Sequence, residues 1–128
     1  MKKSGYLGEL KGLLDRTRPA LAKKRRLEFK NCFGAVAGYV DGAIFISCGS
    51  FGVALRLPPG VLAQLFQHAG ASPLKYFPNG HVKKDYAVIP ERIIHDSSRF
   101  PNLLDEAVRY ASSARRTLKI SAPAQKLR

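Results

Sequence analysis

Between two apolar runs, Cys32 to Val40 and Ala43 to Ile46, the chain carries a single interruption, Asp41-Gly42. Both central positions of a type I′ turn need positive φ, and Asp-Gly supplies two residues that tolerate it, so this pair between β-prone segments predicts a tight β-hairpin. On either side of the turn the apolar residues do not alternate cleanly with polar ones. Phe33, Ala35, Ala37 and Tyr39 share one face with Ile44, Ile46 and Cys48, and Val36, Gly38 and Val40 share the other with Phe45 and Ser47. A strand pair apolar on both faces is expected to be covered on both.

The register of that hairpin bears on the two cysteines. If Val40 faces Ala43 without irregularity, Cys48 falls opposite Ala35, and Cys32, an odd number of residues from Ala35, belongs to the other face. Gly38 then lies opposite Phe45, an aromatic covering a glycine on the neighbouring strand. The expectation is two free thiols in a reducing compartment rather than a disulfide or a metal pair, since His68, His81 and His95 offer no ligand spacing.

Around this centre the periodicity changes. Leu7, Leu10, Leu13 and Leu14 form a helical stripe near 5–16, beginning after Ser4 as a cap and limited by Pro19. The pattern turns to strand from Leu27, with strands near 33–40 and 43–48 on either side of the Asp41-Gly42 turn. A turn at Gly49-Ser50 leads to a strand near 51–57 that ends at Pro58-Pro59. Val61, Leu62, Leu65 and Phe66 mark a helix near 60–69 closed by Gly70. Leu74 to Phe77, an Asn79-Gly80 turn and Tyr86 to Ile89 read as a second hairpin. Phe100, Leu103, Leu104, Ala107, Val108 and Ala111 define a last helix near 101–115, with Pro101 in its first turn. The fold class is therefore α+β: one domain over 1–116, an antiparallel sheet of meander plus hairpin packed with three helices. Periodicity ends at Thr117, which makes 117–128 a basic, flexible tail.

The formal charge is +13, and it is unevenly placed. Residues 1–30 carry ten basic and three acidic side chains, against four and two over 31–90, so the positive charge sits outside the sheet. It is densest at Lys23-Lys24-Arg25-Arg26, followed by Lys30, and returns at Arg109, Arg115 and Arg116. Four consecutive cations without acid raise a potential that attracts phosphate backbones. No zinc finger, helix-turn-helix or RNA-recognition aromatic motif accompanies them, so base readout has no instrument. The nucleic-acid-binding candidates are Lys23, Lys24, Arg25, Arg26, Lys30, Arg115 and Arg116, competing with a solvated connector.

Other residues point to chemistry more weakly. Gly34 and Gly38 precede a turn and a strand rather than a helix N-terminus, so they do not form a phosphate loop. Tyr39 and Tyr86 read as half-buried sheet aromatics, Arg56 as a side chain snorkelling at a sheet margin, and His81 as a loop histidine without a nucleophile. No catalytic, metal or cofactor constellation emerges, no small-molecule substrate suggests itself, and the absence of a secretion signal or apolar span of membrane length leads to a cytoplasmic expectation.

The order of short motifs resembles the N-terminal domain of the TfoX/Sxy family, named for a regulator of bacterial competence. Its pattern of Met-Phe-Gly-Gly, then Tyr-x-Asp-Gly-x-x-Phe, a strand bearing Lys and a later Tyr-x-x-x-Pro is matched by Cys32-Phe33-Gly34-Ala35, Tyr39 to Phe45, Arg56 and Tyr86 to Pro90. The resemblance covers residues 5–113. Cys32 stands for the Met, Ala35 for the second Gly and Arg56 for the Lys, and the Trp common in the last helix is missing. The resemblance implies a stand-alone, non-enzymatic regulatory domain of transcription-linked type that acts through protein contacts and brings no catalytic residues. Nucleic acid is then met non-specifically through the basic segments. The alternative is a homodimeric protein-interaction scaffold without nucleic-acid binding. For the thiols, mass spectrometry after alkylation of the non-reduced, denatured protein is expected to show labels on both Cys32 and Cys48; a mass two protons light with neither labelled would mean a disulfide.

Overall fold

A computed structural model describes residues 2–75 and 82–126, with the backbone alone for 2–4, 32 and 114–126. Among these residues the element order is α1 (Lys2–Thr17), α2 (Leu21–Lys24), β1 (Leu27–Cys32), β2 (Ala35–Val40), β3 (Ala43–Gly49), β4 (Gly52–Arg56), α3 (Pro59–His68), β5 (Ser72–Leu74), β6 (Lys83–Val88), α4 (Glu91–Ile94) and α5 (Arg99–Lys126). The strands form one antiparallel sheet in the order β1-β2-β3-β4-β6-β5. The α+β class and the antiparallel sheet are as expected, and α2 and α4 are short additions to the three expected helices.

Asp41 and Gly42 take φ of 50° and 88° and form a two-residue connection between β2 and β3, as their residue types require. The same device appears where the sequence did not advertise it. Phe33 and Gly34 take φ of 53° and 82° and separate β1 from β2. The strand expected over 33–40 is therefore shorter, Cys32 belongs to the preceding strand, and Phe33 is exposed at a turn rather than sharing a sheet face. Phe in this region carries the steric cost of a Cβ near the following carbonyl, about 1–2 kcal/mol, which is why it gives no turn signal. The next connection is Ser50-Phe51, one residue later than expected, with Gly49 paired to Gly52.

The unbroken register also needs correction. Val40 pairs with Ala43 and Tyr39 with Ile44, but Gly38 pairs with Ile46, so β3 carries one extra residue and Cys48 falls opposite Val36 instead of Ala35. This bulge sends Phe45 and Ile46, consecutive in sequence, into the same cluster, each with no exposed surface. Gly38 leaves the room they need: a Cβ there would stand 2.7 Å from Ile46 Cγ2 and 3.5 Å from the Phe29 and Phe45 rings. Cys32 lies opposite Ala35 and Cys48 opposite Val36. The side chain of Cys32 is outside the described residues, and Cys48 is a free, buried thiol.

One side of the sheet carries the main core. Leu10, Leu13 and Leu14 of α1, Leu62 and Leu65 of α3, Ile93 of α4, and Phe100, Leu104, Ala107, Val108 and Ala111 of α5 pack on Val36, Val40, Phe45, Ile46, Leu55 and Ala87. On the other side Ala54, Leu74 and Tyr86 form a smaller cluster with Ile44, Phe51 and Val88. Ala37, Ser47 and Ala54 have no exposed surface, in line with a sheet whose middle is covered on both faces.

The helix ends differ from the sequence reading in instructive ways. α1 starts at Lys2, so Ser4 is inside it rather than capping it. α3 opens on Pro59 and closes with Gly70 at φ 77°, where Ala69 and Ala71 both donate to the Leu65 carbonyl. The Arg92 guanidinium, reaching from α4, donates to the Ala69 carbonyl. α5 is opened by Asp96, whose Oδ1 accepts the N–H groups of Ser98 and Arg99, each at 2.9 Å. It then runs to Lys126, past the end near 115 that its apolar stripe marks. β5 covers Ser72–Leu74, so of the strand expected at Leu74 to Phe77 only Leu74 is seen in it; Tyr76, Phe77 and the Asn79-Gly80 turn lie outside the described residues.

Leu104 is fully buried where α5 crosses the sheet. Leu104→Ala is expected to cost about 2–5 kcal/mol in reversible denaturation, through lost transfer energy and a residual cavity. A change below about half a kcal/mol would mean that α5 does not dock there.

Candidate nucleic-acid interface

The basic block occupies a corner between α1 and β1. Pro19 cannot continue α1, yet the Arg18 N–H still donates to the Leu14 carbonyl, and the chain then makes the single turn of α2 before straightening at Arg25. Lys23 and Lys24 fall in that last turn, beside the unsatisfied carbonyls of the helix end.

The four consecutive cations do not share one role. Arg25 Nε donates to Asp41 Oδ2 at 2.6 Å and its terminal nitrogen donates to Ser112 Oγ at 2.5 Å. Asp41 Oδ1 accepts the Arg26 N–H at 3.0 Å, and the Asp41 N–H donates to the Arg26 carbonyl at 2.8 Å. Arg25 is thereby half-buried in a structural clamp that joins the block, the β2–β3 turn and α5, while Lys23, Lys24 and Arg26 are exposed. No carboxylate among the described residues pairs with those three. Lys30 is exposed on β1, its ammonium 4.8 Å from the centre of the Tyr39 ring. Arg115 and Arg116 follow within about one turn of Ser112 along α5, and their side chains are outside the described residues.

Two further cations stand near the block that the sequence reading did not select. Arg18 and Asp105 form a two-pronged pair, Nε to Oδ1 at 2.8 Å and Nη2 to Oδ2 at 2.7 Å, tying the end of α1 to α5. Arg109 lies 3.3 Å from Glu106 on the same helix. With Lys24 and Arg25 they rim a cleft of about 410 Å³ floored by Leu21, Leu104 and Val108. Arg18 and Asp105 are 87 residues apart, and nothing local in the sequence links them.

The electrostatics follow from these contacts. The hydrogen bond from the Arg26 backbone, then that from Arg25, holds the Asp41 carboxyl below the usual carboxylate range. The Arg18 hydrogen bond does the same for Asp105, and the Arg99 and Ser98 N–H groups do so for Asp96. Burial, reinforced by Glu9 nearby, pushes the Cys48 thiol up to about 11. It is therefore protonated at neutral pH and is no nucleophile. His95 pairs with Glu91 in the open, 3.0 Å apart, and His81 lies outside the described residues. Among the described residues no group of three or more His, Cys, Asp or Glu side chains could hold a metal ion, and no helix is long and apolar enough to cross a membrane.

No family model matches the chain, and no curated protein or solved structure is significantly similar to it. The chemistry of the corner is then what its own residues provide: exposed cations held in place by one neutralised arginine.

Each carboxylate whose folded pKa is depressed adds stability above its ordinary value near 4 and gives it up as pH falls through the lower, folded value. Asp41→Asn keeps a residue that tolerates positive φ but removes the charge. Its melting temperature is expected to lie below that of the parent protein at pH 7, with the gap closing below about pH 4 as Asp41 of the parent is itself protonated. A gap that stayed constant with pH would show that the carboxylate charge contributes nothing to the clamp.

Proposed function

We propose that this chain is a non-enzymatic regulatory binding domain of the TfoX/Sxy N-terminal kind, acting through protein contacts, whose basic corner meets nucleic acid through the phosphate backbone without reading bases. The observation that carries the nucleic-acid part is the division of labour in the block. Arg25 spends its charge on Asp41 and Ser112, which fixes the corner, and Lys23, Lys24 and Arg26 are left exposed without acidic partners among the described residues. Lys30 adds a fourth exposed cation on the adjoining strand. Such an arrangement offers point charges to phosphates at a defined place on the surface.

If Lys23, Lys24, Arg26 and Lys30 each neutralise one phosphate, log affinity for duplex DNA falls against log salt with a slope of about −3.6, roughly 0.9 per contact. Replacing Lys23, Lys24 and Arg26 together by Ala is expected to flatten the slope by about 2.7 and to weaken binding equally for unrelated sequences. Arg25→Ala is expected to act chiefly through stability, lowering the melting temperature more than the triple variant does. Titrations at several salt concentrations with DNA and RNA test this, and no binding near 50 mM salt would remove the nucleic-acid part of the proposal.

A further inference from the structure

The two edges of the sheet are unlike. β5 closes one side with three residues that include Pro73, a short edge that offers little to another strand. β1 closes the other with six residues, free of proline and in unbroken register with β2 from Leu27↔Val40 to Cys32↔Ala35.

The direction of the backbone groups on β1 is fixed. The Arg26 carbonyl accepts from the Asp41 N–H, so Arg26 faces the β2 side of the ladder. In an antiparallel pair the residues bonded to the partner alternate, which assigns Glu28, Lys30 and Cys32 to β2 as well. Leu27, Phe29 and Asn31 therefore turn their N–H and C=O groups outward, and among the described residues these groups have no partner. Beside them Glu28, Lys30 and Asn31 are exposed.

The charges on this edge complement themselves. A second β1 laid antiparallel along the first can bond only through outward-facing residues, which restricts a two-fold arrangement to an axis passing through a residue pair of the strand. Centred on Phe29, the two Phe29 residues exchange both backbone bonds, Leu27 pairs with Asn31, and Glu28 stands opposite Lys30 twice. The charged positions are then the closer, non-hydrogen-bonded pairs, with Cα atoms about 4.5 Å apart. Centring on Glu28 opposes like charges and also sets Arg26 against Lys30. Centring on Lys30 opposes the two lysines. Centring on Leu27 sets Glu28 against Arg26 but carries the seam off the strand, so among registers within β1 only the one at Phe29 opposes unlike charges.

We infer that β1 is a self-association edge: a second copy of this chain pairs antiparallel with it about a two-fold axis at Phe29, extending the sheet across the seam, with Glu28 and Lys30 exchanged between copies. α1 packs chiefly over β2 and β3, and at the edge Lys11 lies over the Phe29 ring, 5.5 Å from its centre, on a side chain rather than on the outward backbone groups. The inference shares Lys30 with the proposed nucleic-acid site, whose other cations Lys23, Lys24 and Arg26 lie outside β1, and its test reads the mass of the nucleic-acid-free chain, so failure of either reading is seen without the other.

Sedimentation equilibrium on the full, nuclease-treated chain tests it, in about 300 mM salt to screen the mutual repulsion of two copies of net charge +13. The parent protein is expected to reach twice the chain mass in the sub-millimolar range. Glu28→Lys and Lys30→Glu each turn both attractive pairs into repulsive ones and are expected to weaken the dimer about tenfold or more. Glu28→Lys with Lys30→Glu restores opposite charges in both pairs and is expected to restore the dimer. Asn31→Pro removes an outward N–H without touching the β1–β2 ladder and is expected to abolish it. These positions are exposed, and thermal unfolding of each variant reports that the fold is kept. A monomeric parent protein, or a dimer indifferent to the single reversals or not rescued by the double one, overturns the inference.

Discussion

The carboxylate of Asp41 holds together parts of the chain that would otherwise repel one another. Asp-Gly is needed at the β2–β3 turn for backbone reasons alone, but Asn-Gly or Gly-Gly would satisfy φ equally well. The charge is what the fold uses beyond the turn: Asp41 takes the Arg26 N–H and the Arg25 guanidinium, and Arg25 in turn reaches Ser112 on α5. One acidic group in a strongly basic chain thereby registers the entry to β1, the tip of the central hairpin and the last helix. Exposed ion pairs taken singly contribute little. Here the pair is backed by two backbone hydrogen bonds, so its geometry does not depend on the ion pair alone.

The elements legible in the sequence are those whose signal is local and repeated. The stripes of α1, α3 and α5 and the Asp41-Gly42 turn needed no tertiary information, and Leu10, Leu65, Leu104 and Val108, all on those stripes, are buried. The missed features depend on partners distant in the chain or on residues of the wrong type for their role. Phe33 is a poor turn residue that nonetheless takes φ of 53°, so β1 and β2 read as one strand. A bulge at Phe45 changes no local composition, and the register slipped by one residue in consequence.

The candidate site shows the same division. That residues 23–26 carry a dense charge is plain from composition, but which of the four is available to a ligand is not, because it is decided by Asp41 and Ser112, sixteen and eighty-seven residues away from Arg25. The Arg18–Asp105 fork fastens α1 to α5 over a similar separation. Charge in this protein is thus partly cement and partly surface, and only contacts distinguish the two.

Gly38 and Ile46 form one steric unit. The 2.7 Å approach of Ile46 Cγ2 to the place of a Cβ on Gly38 means that a side chain at 38 forces the fully buried Ile46 to shift, and a valine at 46 would retain the offending branch. Any side chain at 38 therefore calls for a loss of branching at 46. Along an evolutionary path a side chain at 38 is expected only once 46 has lost its branch, whereas the change at 46 can come first. The pair thus fixes an order of change: while the branch stands at 46 the glycine is kept, and the bulge that aims Phe45 inward keeps its room.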